Sequence, residues 1–117
     1  MSQEEKESIF AKIIRKEIPA DIVYEDDFCL CFRDIHPVAP THLLLIPKVC
    51  IPKLSDAVVA DKDILGELML KVSVITKELG INDAFRVVIN NGAGACQTVF
   101  HLHLHIIADR ALNWPPG

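Results

Sequence analysis

The sequence predicts an α+β domain, with one long and one short helix packed on an antiparallel sheet of about five strands. Three observations lead there. Over residues 61–79, Ile64, Leu65, Leu68, Met69, Val72, Ile75 and Leu79 recur at three- and four-residue intervals, one face of a helix, and Gly80 supplies its stop. Several short apolar segments are bounded by Pro, Asn, Asp or Gly, the punctuation of strands and turns. In the segment 100–107, His101, His103 and His105 alternate with Phe100, Leu102, Leu104 and Ile106. Period two belongs to a strand, with three imidazoles on one face and apolar side chains on the other, whereas a helix would scatter the rings.

The remaining elements follow in chain order. Residues 8–16 place Ile9, Ile13 and Lys16 on one side and Phe10 and Ile14 beside them, a short amphipathic helix ended by Ile18-Pro19 and expected to close over the sheet. Segments 22–25 and 28–32 flank Asp26-Asp27 as a tight hairpin, and Asp34-Ile35-His36-Pro37 breaks the second strand. Residues 41–47 form a compact apolar strand between Pro40 and Pro47. Segments 84–90 and 99–107 are two more strands, joined by the glycine-containing loop 91–97. The 117 residues make one domain, with residues 1–7 expected as a flexible tail.

Composition narrows the function. Twelve basic and sixteen acidic residues give a net charge of -4, which offers no electrostatic footprint for nucleic acid or anionic lipid. The longest apolar runs are interrupted by polar residues and are too broken to span a bilayer, and the acidic N-terminus lacks the pattern of a secretory signal. A cytoplasmic protein is expected, with the nucleus also open to it. Cys29, Cys31, Cys50 and Cys96 make neither a disulfide framework nor a CxxC pair, so they are expected as free buried thiols.

The histidines carry the chemistry. A neutral imidazole acts near pH 7 as nucleophile, base or metal ligand, and crowding three together disfavours protonation. Strand rise sets rings two residues apart about 7 Å from one another, so a single metal ion would need convergence or a further ligand such as His42 or Cys96. The alternative is attack on phosphorus. Gly92 and Gly94, with Gln97 and Thr98, lie just ahead of the histidines, where backbone N–H groups can meet anionic oxygens.

His101-Leu-His-Leu-His-Ile-Ile resembles the His-x-His-x-His-x-x motif of the histidine triad family. Phe32-Arg-Asp34-Ile35, Pro40-Thr-His42-Leu-Leu-Leu-Ile-Pro47-Lys, Val88-Ile-Asn90-Asn-Gly, Gln97-Thr98 and Trp114-Pro-Pro-Gly117 resemble, in order, its Hint (histidine triad nucleotide-binding) branch over about residues 8–117. The resemblance implies that family's fold and a purine nucleoside phosphoramidase that cleaves the P–N bond of AMP or GMP joined to an amine. It needs no cofactor and no metal. His103 would be the nucleophile, forming a nucleotidyl-histidine, with a backbone carbonyl fixing its tautomer. His105 would contact phosphate, while His101 and His42 orient the other rings. Asn90 would bond near the 5′ oxygen or phosphate, and Thr98 with the Gln97 backbone would face the phosphate or leaving amine; Asp34 would hold the ribose hydroxyls; Phe10, Ile18, Phe32 and Ile35 would wall the purine. The tail, residues 111–117, would pack at a homodimer interface.

Two positions depart from the branch, which usually has Gly-Gln-Ser where this chain has Cys96-Gln97-Thr98. Thr98 keeps the hydroxyl but restricts its rotamer. Cys96 puts a side chain where the backbone approaches the phosphate, and a positive φ there would cost about 1 kcal/mol. Two other readings stand beside the phosphoramidase: a dinucleoside polyphosphate hydrolase of the same family, against which the Trp-Pro-Pro-Gly ending argues, and a nucleotide- or zinc-binding interaction module with weak hydrolysis.

Overall fold

A computed structural model describes residues 8–117, so the expected tail at residues 1–7 lies outside the described residues. The elements are α1 (Ile9–Ile14), β1 (Ile22–Glu25), β2 (Cys29–Arg33), β3 (Thr41–Pro47), α2 (Lys62–Glu78), β4 (Phe85–Val88) and β5 (Leu104–Ala108), with short 3-10 turns at Leu54–Asp56, Val59–Asp61 and Ala93–Ala95. The five strands form one sheet in the order β1-β2-β3-β5-β4, every neighbouring pair antiparallel. The α+β prediction holds. Among the described residues no helix is long and apolar enough to cross a membrane.

The sheet is covered on both faces, and strand alternation decides which residue meets which helix. Cys29 and Cys31 of β2 and Leu43 and Leu45 of β3 join Leu68, Val72 and Ile75 of α2 in one core. Leu30 and Phe32, with Leu44 and Ile46, join Phe10 and Ile13 of α1 in a second core on the opposite face. Double coverage explains why residues 43–47 of β3 are an unbroken apolar run, and all seven residues of the strand are buried. Each fully buried Leu or Ile adds roughly 1.5–3 kcal/mol of apolar transfer energy.

Both helices end in a left-handed residue. After α2, Gly80 has φ 70°, its N–H bonds Lys77 O, and the Ile81 N–H bonds Thr76 O. After α1 the same pattern appears with Lys16 at φ 63°, whose N–H bonds Ile13 O while the Glu17 N–H bonds Lys12 O. At its start, the Ser8 hydroxyl accepts the Ala11 N–H at 3.1 Å, a conventional N-cap.

Three expectations need correction. The strand expected at 99–107 runs only from Leu104 to Ala108, so His101 and His103 precede it. The reason is long-range: the Leu102 N–H bonds Ile51 O at 2.6 Å, and this stretch is laced to the loop after β3 instead of to a neighbouring strand. The alternation survives, because Leu102, Leu104 and Ile106 all enter the α2-side core. Phe100 does not follow it and is 42% exposed. The strand expected at 84–90 is trimmed to Phe85–Val88. Of the four free thiols, Cys29 and Cys31 are buried as expected, but Cys50 and Cys96 are exposed, both lying in loops.

Candidate active site

The histidines face the α1 side of the sheet, where Phe10 anchors them. Its ring meets His103 edge-to-face at 5.0 Å, His101 at 6.1 Å and Phe32 at 5.6 Å. A cavity of about 290 Å³ opens beside them, lined by Phe10, Ile18, Phe32, Asp34, Ile35, Thr98, His103 and His105, and also by Ile9, Ile13, Pro19, Ala20, Leu44 and Val99. Seven of the expected nucleotide-contact side chains therefore share one wall with the central histidine.

Hydrogen bonds assign the tautomer of each ring. His103 Nδ1 lies 2.7 Å from the His101 carbonyl oxygen. A carbonyl only accepts, so Nδ1 carries the proton and Nε2 keeps its lone pair. His101 Nε2 likewise donates to the Pro47 carbonyl at 2.8 Å. His42 runs the other way, because its Nδ1 accepts the Val38 N–H at 3.1 Å and its proton therefore sits on Nε2. That Nε2–H points at His105 Nδ1, 2.9 Å away, with Asp34 Oδ2 more distant at 3.4 Å. His105 accordingly carries its proton on Nε2, a buried atom with no hydrogen-bond partner among the described residues.

Charge is disfavoured throughout this cluster. Burial lowers the pKa of His101 and His103, opposed in each case by the hydrogen bond to a carbonyl. Burial, reinforced by the neighbouring His103 and His42, pushes His105 down to about 4. These three rings are therefore neutral at pH 7, which leaves His103 as a lone-pair donor and His105 as a hydrogen-bond donor.

Asp34, His42 and His105 each bring one donor atom within 4.8 Å of the others, the spacing of a metal cluster. Their hydrogen bonding does not suit an ion. A ligating His42 would need a lone pair on Nε2, moving its proton to Nδ1 against the Val38 N–H. The 2.9 Å between the two rings is a hydrogen bond, shorter than two nitrogens held tetrahedrally around zinc, about 3.3 Å apart.

His42, His101, Asn90, Cys96 and Gln97 are not among the lining residues. His101 and His42 are buried behind the rings they contact. Asp34 lines the wall, yet its Oδ1 already accepts the His36 N–H at 2.7 Å, the turn-capping role that aspartate often takes before a proline. Asn90 is half-buried beyond the end of β4 and is not among the lining residues. The Gln97 side chain is consumed internally: Oε1 accepts the Gly92 N–H at 2.7 Å, and Nε2 donates to Pro52 O and Val99 O. It ties the loop to the segment after β3. Cys96 is exposed and left-handed, φ 68° and ψ 29°, so the strained geometry that the sequence raised as a condition is present.

Sequence reasoning missed the backbone partners Val38 and Pro47, and missed Ser8. A serine just before an apolar helix signals an N-cap, but nothing local signals that its hydroxyl also lies 3.5 Å from His101 Nδ1, 93 residues away.

Comparison with known proteins gives the family of this two-sided sheet with its histidine cluster beside a small apolar cavity. The HIT domain model matches residues 15–112, and the chain belongs to that family. It is 59% identical over 112 residues to an uncharacterized HIT-like protein of Synechocystis, covering 96% of this chain and 98% of that one. A 14 kDa zinc-binding protein of Zea mays is 50% identical over 112 residues, covering 94% and 88%. The crystal structure of a HIT family hydrolase from Legionella pneumophila superposes with a TM-score of 0.90 at 41% identity, covering 93% of this chain and 98% of that chain.

Proposed function

We propose that this protein is a purine nucleoside phosphoramidase. His103 Nε2 attacks the α-phosphorus of a nucleoside 5′-monophosphate carrying an amine; the N–P bond to His103 forms as the P–N bond to the amine breaks, and the amine leaves with a proton taken from solvent, which the attacking water of the second step gives back. Water then attacks the nucleotidyl-histidine, releasing AMP or GMP and restoring the neutral ring. The observation that carries this reading is the His103 Nδ1–H bond to the His101 carbonyl, which presents the Nε2 lone pair at a cavity wall.

The surroundings support the same chemistry. His105 Nε2–H is an unused donor suited to a phosphoryl oxygen, whose negative charge grows as the nucleophile adds. The apolar lining suits a purine face, and the Asp34 carboxylate stands at the same wall for ribose hydroxyls. Thr98 also lines the cavity, where its hydroxyl would meet the phosphate or leaving amine. A homodimer fits the outer surface. The free edge of β4 ends the sheet, and Met69, Leu70 and Val74 of α2 are exposed. The tail, with Trp114 84% exposed, would pack at that interface, and the cytoplasm is the proposed compartment.

The test is direct. Adenosine 5′-phosphoramidate should be converted to AMP, and brief reaction followed by mass spectrometry should find the nucleotide on His103. His103→Ala should lower turnover by at least about a thousandfold, as expected for loss of a covalent nucleophile. Full turnover by that variant would overturn the assignment. A diadenosine polyphosphate assayed beside it separates this reading from the sister hydrolase.

A further inference from the structure

We propose that Ser8 is a positioning residue for the histidine nucleophile, holding the His101 ring in place and with it the backbone carbonyl that orients His103. The inference rests on the reading of His103 as the nucleophile and extends its support to the start of the chain's first helix. His101 is 1% exposed, and both of its ring nitrogens and its carbonyl are used. Its Nε2–H donates to Pro47 O, its own carbonyl receives the His103 Nδ1–H, and its Nδ1 lone pair faces the Ser8 hydroxyl at 3.5 Å.

The Ser8 oxygen serves two partners at once. As an acceptor it takes the Ala11 N–H that opens α1, and its single O–H is then free to donate to His101. Without that hydroxyl, a buried ring nitrogen faces apolar surroundings, since the Phe10 ring packs edge-on against both His101 and His103. The ring is then held at one end only. Any rotation that seeks a new partner for Nδ1 disturbs the carbonyl that fixes the His103 tautomer. The one titratable group acting on His101 among the described residues is His103 itself.

Three substitutions separate this role from simple helix capping. Thr, Asp and Ser all cap helices well, so Ser8→Thr and Ser8→Asp preserve α1, whereas Ser8→Ala removes cap and hydroxyl together. Histidine tautomers and titration are read by long-range proton–nitrogen NMR on the full chain, with steady-state kinetics on adenosine 5′-phosphoramidate in parallel. Ser8→Thr should match the wild type. Ser8→Asp should keep the melting temperature, place a carboxylate on Nδ1 and convert His101 to an imidazolium at neutral pH, shifting the pH profile of nucleotidylation. Ser8→Ala should lower kcat on the order of tenfold with little change in KM, the signature of a misplaced nucleophile.

Wild-type imidazole spectra and an unchanged pH profile in both the Asp and Ala variants would overturn the proposal and leave Ser8 as a helix cap alone. If the wild type hydrolyses no phosphoramidate, the enzymatic reading fails, while the NMR arm still decides whether Ser8 controls His101.

Discussion

Cys96 is the residue where local energy and placement conflict most plainly. Its φ of 68° puts an L side chain in the left-handed region, at the end of the 3-10 turn Ala93–Ala95 and one residue before the buried Gln97. The position sits where glycine would be free of strain. Cys96→Gly should raise stability by about 1 kcal/mol in chemical denaturation, partly offset by the added freedom of the unfolded chain. No gain would mean that the thiol compensates through contacts of its own. At this scale the sequence was legible where a residue's partner is close in the chain. The histidine alternation and the risk at Cys96 were both readable, but Phe100 was not, because its departure follows from bonds between Leu102 and Ile51 and between Cys50 and Phe100. Asp34 could be read as a turn cap or as a ribose ligand, and the turn bond alone does not exclude the second role.

At the scale of the element, the hairpin between β1 and β2 is held by one carboxylate. Asp26 accepts the N–H groups of Phe28 and Cys29 at 2.8 and 2.9 Å and the Tyr24 hydroxyl at 2.9 Å, and Lys71 of α2 stands 3.4 Å away. Partial burial raises its pKa, but the hydrogen bonds outweigh it and hold the carboxyl at about 2. A depressed carboxylate stabilises the fold above its unfolded pKa near 4, and that contribution is lost as pH falls toward 2. Asp26→Asn should therefore cost about 2 kcal/mol at pH 7 and progressively less below pH 4, as read from denaturation at several pH values. A pH-independent difference would assign the effect to shape. The Asp-Asp pair was readable as a turn, whereas its link to α2 depends on packing between segments 45 residues apart. Helix ends show the same division: Gly80 announced a left-handed stop, and Lys16 adopts that conformation with no glycine to announce it.

Across the whole molecule, the two cores divide the labour. α2 and its core stabilise one face of the sheet, while α1 and its core frame the cavity on the other. Element types and most boundaries were legible, since periodicity and proline or glycine punctuation are local. The order β1-β2-β3-β5-β4 was not, because placing β5 between β3 and β4 is settled by pairings distant in sequence. The same order leaves β4 at an edge beside the exposed side of α2. If that surface pairs two copies, the wild type should sediment as a dimer, and Leu70→Lys, at a side chain 63% exposed, should shift it toward monomer with little loss of secondary structure. A monomeric wild type would remove the dimer from the proposal.

The opposed tautomers of His103 and His105 have a wider consequence. Two side chains of the same kind, two residues apart and both uncharged, present a basic atom and an acidic one to the same cavity, because one ring is fixed by a carbonyl and the other by a chain that begins at the Val38 amide. The protein thus makes an amphoteric surface from a single amino-acid type without storing charge. A group that is electrophilic at its centre and anionic at its rim finds both complements together, while a bare cation meets only one of them.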